Sequence, residues 1–156
     1  MYPANQSQTT LFDPRVEHSN EFSEYRLFTP NAVYGAALLG GPIGGALVMG
    51  INYKRMGNSS SAMWTIIAGF VIMALSMPIG YFVPGWAQLP CALLLAYAMK
   101  QAAQSQQGQA VSEHIEKTGM KASGWAAFGI GLIGMVIACA LIAIYVLAVM
   151  AITHQF

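Results

Sequence analysis

The stretch NAVYGAALLGGPIGGALVMGINY, residues 31–53, contains no Lys, Arg, Asp, Glu or His. As a helix it would cover about 34 Å, enough for a bilayer hydrocarbon core of about 30 Å. A charge at the bilayer centre costs roughly 2.5–3.5 kcal/mol or more, so a long apolar run without one marks a lipid-embedded segment. Two further runs share the property, residues 56–99 and 122–153. The ionisable side chains are left to the first 26 residues, two connectors and the last residues. The pattern predicts an all-α, polytopic membrane protein with four transmembrane helices in one bundle.

Composition agrees. Of 156 residues, 56% are hydrophobic and 8% charged, with a mean hydropathy of +0.52. Soluble proteins carry about 25% charged residues. The length suits a single bundle. A net charge of +1 supplies no basic field for nucleic acid. Cys91 and Cys139 lie inside apolar segments without a metal-ligand partner at suitable spacing, and read as small packing residues. The N-terminus lacks the basic and apolar regions of a cleavable signal peptide.

Residues 1–28 read as a polar, largely irregular tail in which Asp13, Glu17, Glu21 and Glu24 outnumber Arg15 and Arg26. Its apolar residues, Leu27 and Phe28 among them, are expected to dock on the membrane surface or on the bundle. The transmembrane domain covers 29–153, with helices expected over about 30–52, 61–83, 85–100 and 124–152. Thr29-Pro30 suits a helix start, Gly57-Asn58-Ser59-Ser60 a turn and Pro84-Gly85 a sharp break. Residues 101–121 form a polar connector with a short surface helix near Ser112–Thr118, stopped by Gly119. Four crossings place Lys54 and Arg55 on the same side as Lys100, Lys117 and Lys121, opposite Arg15 and Arg26. Basic residues favour the cytoplasm, so both termini are expected in the periplasm.

The most distinctive motif is Leu39-Gly40-Gly41-Pro42-Ile43-Gly44-Gly45. Gly40/Gly44 and Gly41/Gly45 are overlapping small-residue pairs that let a neighbouring backbone approach closely. Pro42 cannot donate to the carbonyl of Leu38, which predicts a kink. The fourth helix carries Gly131, Gly134 and Ala138 on a comparable face, expected to meet the first helix, or a second copy of the chain. Candidates for a polar, pore-lining face include Tyr34, Ser76, Gln88 and Tyr97. No catalytic residue, metal ligand set or cofactor site stands out. His18, His114 and His154 fall outside the apolar runs and read as solvated or interfacial, His114 being the one whose charge could respond to pH, and Ser76 lacks a base partner.

Three pieces taken together, Tyr25-Arg26-Leu27-Phe28-Thr29-Pro30, Leu39-Gly40-Gly41-Pro42 and Asn52-Tyr53-Lys54-Arg55-Met56-Gly57, resemble the opening of an uncharacterised group of small bacterial inner-membrane proteins with a Gly-Gly-Pro first helix. The stretch from Gln107-Gly108 to Ser123-Gly124-Trp125 is similar to their second connector, and the resemblance covers most of residues 25–130. One departure is Thr118-Gly119, where a Gly-Gly pair would be expected. The resemblance implies a bacterial inner membrane and carries no activity with it.

These features point to a small non-enzymatic membrane protein: an accessory subunit or an immunity-type protector, in contact with the bilayer and with a membrane-protein partner or further copies of itself. The alternative is a homo-oligomeric channel or transporter for a neutral or hydrophobic substrate.

Overall fold

The computed structural model describes residues 25–153, which form four helices: α1 (Pro30–Arg55), α2 (Ser59–Phe82), α3 (Gly85–Thr118) and α4 (Gly124–Thr153). By length and composition, α1, α2 through Gly80 and α4 are each able to cross a membrane. The tail before Tyr25, with Arg15 and His18, and His154 at the other end lie outside the described residues.

The helix α1 does not run straight. Gly41 has φ 59° and ψ −154°, outside the helical region, and splits α1 into a first arm (30–40) and a second arm (42–55). A straight helix would hold Phe28 and Asn52 about 36 Å apart. Instead, the Phe28 backbone and the Asn52 side chain exchange hydrogen bonds of 2.9 and 2.8 Å. The two arms therefore fold back on each other as a hairpin with Gly41-Pro42 at its tip. The sequence predicts a kink in a spanning helix; the structure has a reversal. Pro42 stops the first arm by removing a donor, and Gly41 adopts a backbone conformation closed to residues with a Cβ. Small residues then let the arms touch. A Cβ on Gly45 would lie 3.1 Å from the Ala37 Cβ, and one on Gly44 would collide with the Ala36 carbonyl.

The other three helices pack around this hairpin rather than around each other. Along the first arm, α4 runs parallel from Ala127 to Ala138. A Cβ on Gly134 would sit 2.7 Å from the Gly44 Cα, and one on Gly40 would sit 2.6 Å from the Gly131 carbonyl oxygen. Against the second arm, α2 runs antiparallel, with Gly50 facing Ile66 and Gly69 facing Ala46 and Pro42. On the same arm α3 runs parallel, with Met99 against Gly45 and Gln107 bonded to Met49 and Asn52. The resulting core joins Val33, Ala36, Ala37, Val48 and Met49 of the hairpin to Ala96, Met99 and Ala103 of α3 and Ala127 of α4.

One boundary differs markedly from expectation. The third helix does not end near Lys100; it continues through the polar connector to Thr118. Gln and Ala are good helix formers, and Ala96, Met99, Ala103, Gln107 and Val111 give this stretch a buried face at helical spacing. Gly119 closes α3 in the left-handed conformation (φ 67°). Thr118 stays right-handed in the last turn and donates from its hydroxyl to the His114 carbonyl at 2.7 Å, so one glycine suffices for this turn.

The packing predicts a contrast between glycines. Gly134→Ala should destabilise the protein by roughly 2 kcal/mol or more, through a backbone clash that no side chain can relieve. Gly41→Ala should cost about 1–3 kcal/mol through backbone strain. Gly129→Ala meets no atom within 4 Å and should be neutral, or stabilising by up to about 1 kcal/mol. Thermal unfolding in detergent followed by circular dichroism reads all three, and equal midpoints for Gly134→Ala and Gly129→Ala would refute the packing.

Candidate functional site

The open ends of the hairpin, not its tip, carry the polar chemistry. Asn52 is 1% exposed and Gln107 2% exposed, the two buried polar side chains of the described core. Asn52 Oδ1 accepts from the Phe28 N–H, and its Nδ2 donates to the Phe28 carbonyl and to Gln107 Oε1 at 3.1 Å. Gln107 Nε2 donates in turn to the Met49 carbonyl at 3.0 Å. Met49 sits nearly two turns before the end of the second arm, and its carbonyl would otherwise find only its own helix. The four groups form a closed clasp that ties the chain entering α1, the chain leaving α1 and the outer half of α3.

Around the clasp, residues 25–29 lie as a short strap. Leu27 pairs with Lys121 in a single parallel β-bridge, and the Ala122 N–H donates to the Leu27 carbonyl at 2.9 Å. The Leu27 and Phe28 side chains are buried on the bundle. Arg55 donates to the Arg26 carbonyl and holds its guanidinium 5.3 Å from the centre of the Phe28 ring. The His114 ring stacks on Tyr25 at 4.5 Å, nearly parallel, and is half-buried. Its Nε2 lies 2.8 Å from the Tyr25 carbonyl. A carbonyl only accepts, so Nε2 carries the proton. Tyr53 adds a hydroxyl bond to Gln106 Oε1 at 3.0 Å.

The placement of charge corrects the expected topology. Arg26 and Arg55 touch, and Lys54, Lys117 and Lys121 belong to the same end of the bundle. Arg26 is thus beside the connectors, not opposite them. The described start of the chain and the far end of α4 lie at opposite ends of the molecule, since α4 departs from the strap for 30 residues.

Of the residues singled out from sequence, Gly40, Gly44, Gly131 and Gly134 meet at one crossing of α1 and α4. Gly45 faces α3, Ala138 joins Ile43 and Met73, and Gly41-Pro42 forms the tip. Tyr34, Ser76, Gln88 and Tyr97 do not come together. Ser76 donates to its own helix at Met73, Gln88 donates to the Val83 carbonyl, Tyr34 packs on the core, and Tyr97 is exposed. Among the described residues no hydrogen bond joins any two of them, and no three His, Cys, Asp or Glu side chains gather as a metal site would require. Every buried side-chain nitrogen and oxygen among them has a hydrogen-bond partner, so the clasp is a fully satisfied structural lock.

The clasp predicts a large penalty for Asn52→Leu. It would strand the buried Phe28 N–H and carbonyl and one Gln107 oxygen, at about 1–3 kcal/mol per unsatisfied group. Asn52→Asp should also destabilise strongly, because it keeps the acceptor for the Phe28 N–H but sets a buried carboxylate oxygen against the Phe28 carbonyl and Gln107 Oε1, both acceptors. Unfolding midpoints in detergent should fall for both variants; an Asn52→Leu protein as stable as wild type would remove the clasp from the account. Comparison with protein-family models, with curated proteins and with solved structures gives no match to this chain.

Proposed function

We propose that this chain is a non-enzymatic subunit of the bacterial inner membrane, crossing it with α2, the first half of α3 and α4. In this reading the α1 hairpin enters from the cationic side and turns back near mid-depth. Lys54, Arg55, Lys117 and Lys121 then mark the cytoplasmic face, Lys100 reaches that face by extending its side chain, and the end of α4 is periplasmic. Trp125 at the start of α4 and Trp86 at the start of α3 are exposed at the two levels where an interfacial aromatic belt would lie.

One observation carries the subunit reading. Past the hairpin tip, α2, α3 and α4 continue with almost no contact to one another. No residue from Cys139 to Thr153 is buried, and none from Ala74 to Leu95 among those whose burial is described. Three helical segments thus bury no described residue in the half of the bilayer that the hairpin does not reach. A helix-rich partner would fill that half, whether a complex this chain accompanies or a membrane-attacking toxin it blocks as an immunity-type protector. The broken α1 also favours a second reading. Re-entrant half-helices line conduits in transporters, and several copies closing around the distal helices would form a homo-oligomeric channel for a neutral or hydrophobic substrate.

Topology is tested by single cysteines at Arg26→Cys and Ser60→Cys, with Cys91 and Cys139 replaced by alanine. An impermeant thiol reagent should fail to label either one in intact cells and label both in inverted vesicles. Labelling from opposite sides would mean that α1 spans, and would sink the hairpin placement. Function is tested by gentle extraction from the native membrane, with the mass of the complex measured. A stoichiometric second protein, crosslinking to residues beyond Ala138, is the expected result. A closed complex of this chain alone moves the assignment to transport.

A further inference from the structure

We propose that the wedge between the first arm of α1 and the beginning of α4 is a binding site for one anionic phospholipid, an inference that rests on the membrane placement above. The two helices touch through Ala36 and Gly131, where a Cβ on Gly131 would lie 3.1 Å from the Ala36 Cα. Towards the cationic end they diverge and leave a cavity of about 350 Å³. Its inner wall is apolar and small, with Ala32, Gly35, Leu39, Ala127 and Phe128. Gly35 and Gly124 hold it open, since a Cβ at either would meet nothing within 4 Å.

The mouth is polar and cationic. Thr29, Asn31 and Lys121 line it, and among the described residues no carboxylate does. Thr29 makes no side-chain capping bond to α1, and the side chains of Asn31 and Lys121 have no hydrogen-bond or ion-pair partner among the described residues. The first turns of α1 and α4, which begin at this mouth, contain no acidic residue. Their positive ends add to the Lys121 charge. Trp125, 81% exposed and edge-on to Phe128, sets the interfacial level beside the opening. The order from outside inwards is ammonium, hydroxyl and amide, then aliphatic wall. That is the order phosphate, glycerol ester, acyl chain. A soluble anion would use only the mouth, and a neutral lipid would leave Lys121 without a counter-charge.

Native mass spectrometry of the purified protein, exchanged into detergent with equimolar phosphatidylglycerol and phosphatidylcholine, tests the site. One phosphatidylglycerol per chain should be retained in preference to phosphatidylcholine. Lys121→Gln should lower that preference roughly fivefold, as expected for one basic residue near a membrane surface. Gly35→Leu should lower retention of both lipids by filling the wedge, while Lys117→Gln at the end of α3 should change neither. Equal retention of the two lipids by wild type, an unchanged preference in Lys121→Gln, or displacement by millimolar inorganic phosphate would each overturn the proposal. A chain extracted without any partner that still selects phosphatidylglycerol would refute the subunit reading and leave the lipid site standing; a defined complex without lipid preference would do the reverse.

Discussion

Everything in this fold follows from one backbone conformation, the positive φ of Gly41 followed by a proline. In hydrocarbon each unsatisfied backbone polar group costs several kcal/mol, so a helix that ends at mid-depth must be buried in protein or face water. In the proposed membrane placement the reversal creates two such ends at once. The chain answers by enclosing the tip: Gly40, Pro42, Ile43, Gly44 and Gly45 are all buried. That enclosure dictates the side chains around it. Two helices, α4 and α2, must come within backbone contact of the same few residues, and glycine at the contact points leaves the room. Gly131 and Gly134 on α4 and Gly69 on α2 are the complements of Gly40, Gly44 and Pro42. The hairpin is the core of the molecule, which is why the outer helices hardly touch one another.

The clasp is the second half of the same solution. Two arms brought side by side by a flexible glycine would splay apart without a tie at their open ends. Asn52 supplies one, because a carboxamide both accepts from and donates to the same backbone residue, a fit that neither a carboxylate nor a hydroxyl reproduces. Gln107 then fixes the clasp to α3. The strap, with its β-bridge to Lys121 and its Tyr25–His114 stack, covers the clasp and excludes water from it. Sequence distance is no guide to these contacts: residues 28, 52 and 107 meet only because α1 reverses.

Much of the architecture was legible in the residues, and the misreadings share one cause. Charge-free runs located the apolar helices, and the small residues of α1 and α4 announced a close crossing. The magnitude of the bend did not show. Pro42 alone predicts a kink of a continuing helix, and the reversal depends on a φ value that Gly41 permits and does not require. From the expectation that α1 spans, the placement of Arg26 opposite Arg55 followed automatically. The continuation of α3 was available to reading: Ala96, Met99, Ala103, Gln107 and Val111 recur at helical spacing through the polar connector, with Gln107 the one polar residue on that face. A lone glutamine on an apolar stripe marks a buried hydrogen bond. Its partner, Asn52, could be found only after the hairpin was known.

The same geometry sets what the two halves of the molecule can do. The cationic half is locked: its buried polar side-chain atoms are satisfied and its helices meet through backbone contacts, so it is suited to hold position. The distal half has neither glycine contacts nor a core. In a bilayer, apolar surface alone gives helices no reason to associate, because lipid tails solvate leucine as well as another helix does. Trp86, Leu89, Leu94 and Leu147 therefore do not draw the distal segments together, and their separation is stable in lipid without strain. What would draw in a partner helix is close packing, and α4 presents small residues at Cys139, Ala143 and Ala151 along its unpacked end. A rigid cationic half carrying an uncommitted distal half is the form expected of a chain that positions other helices.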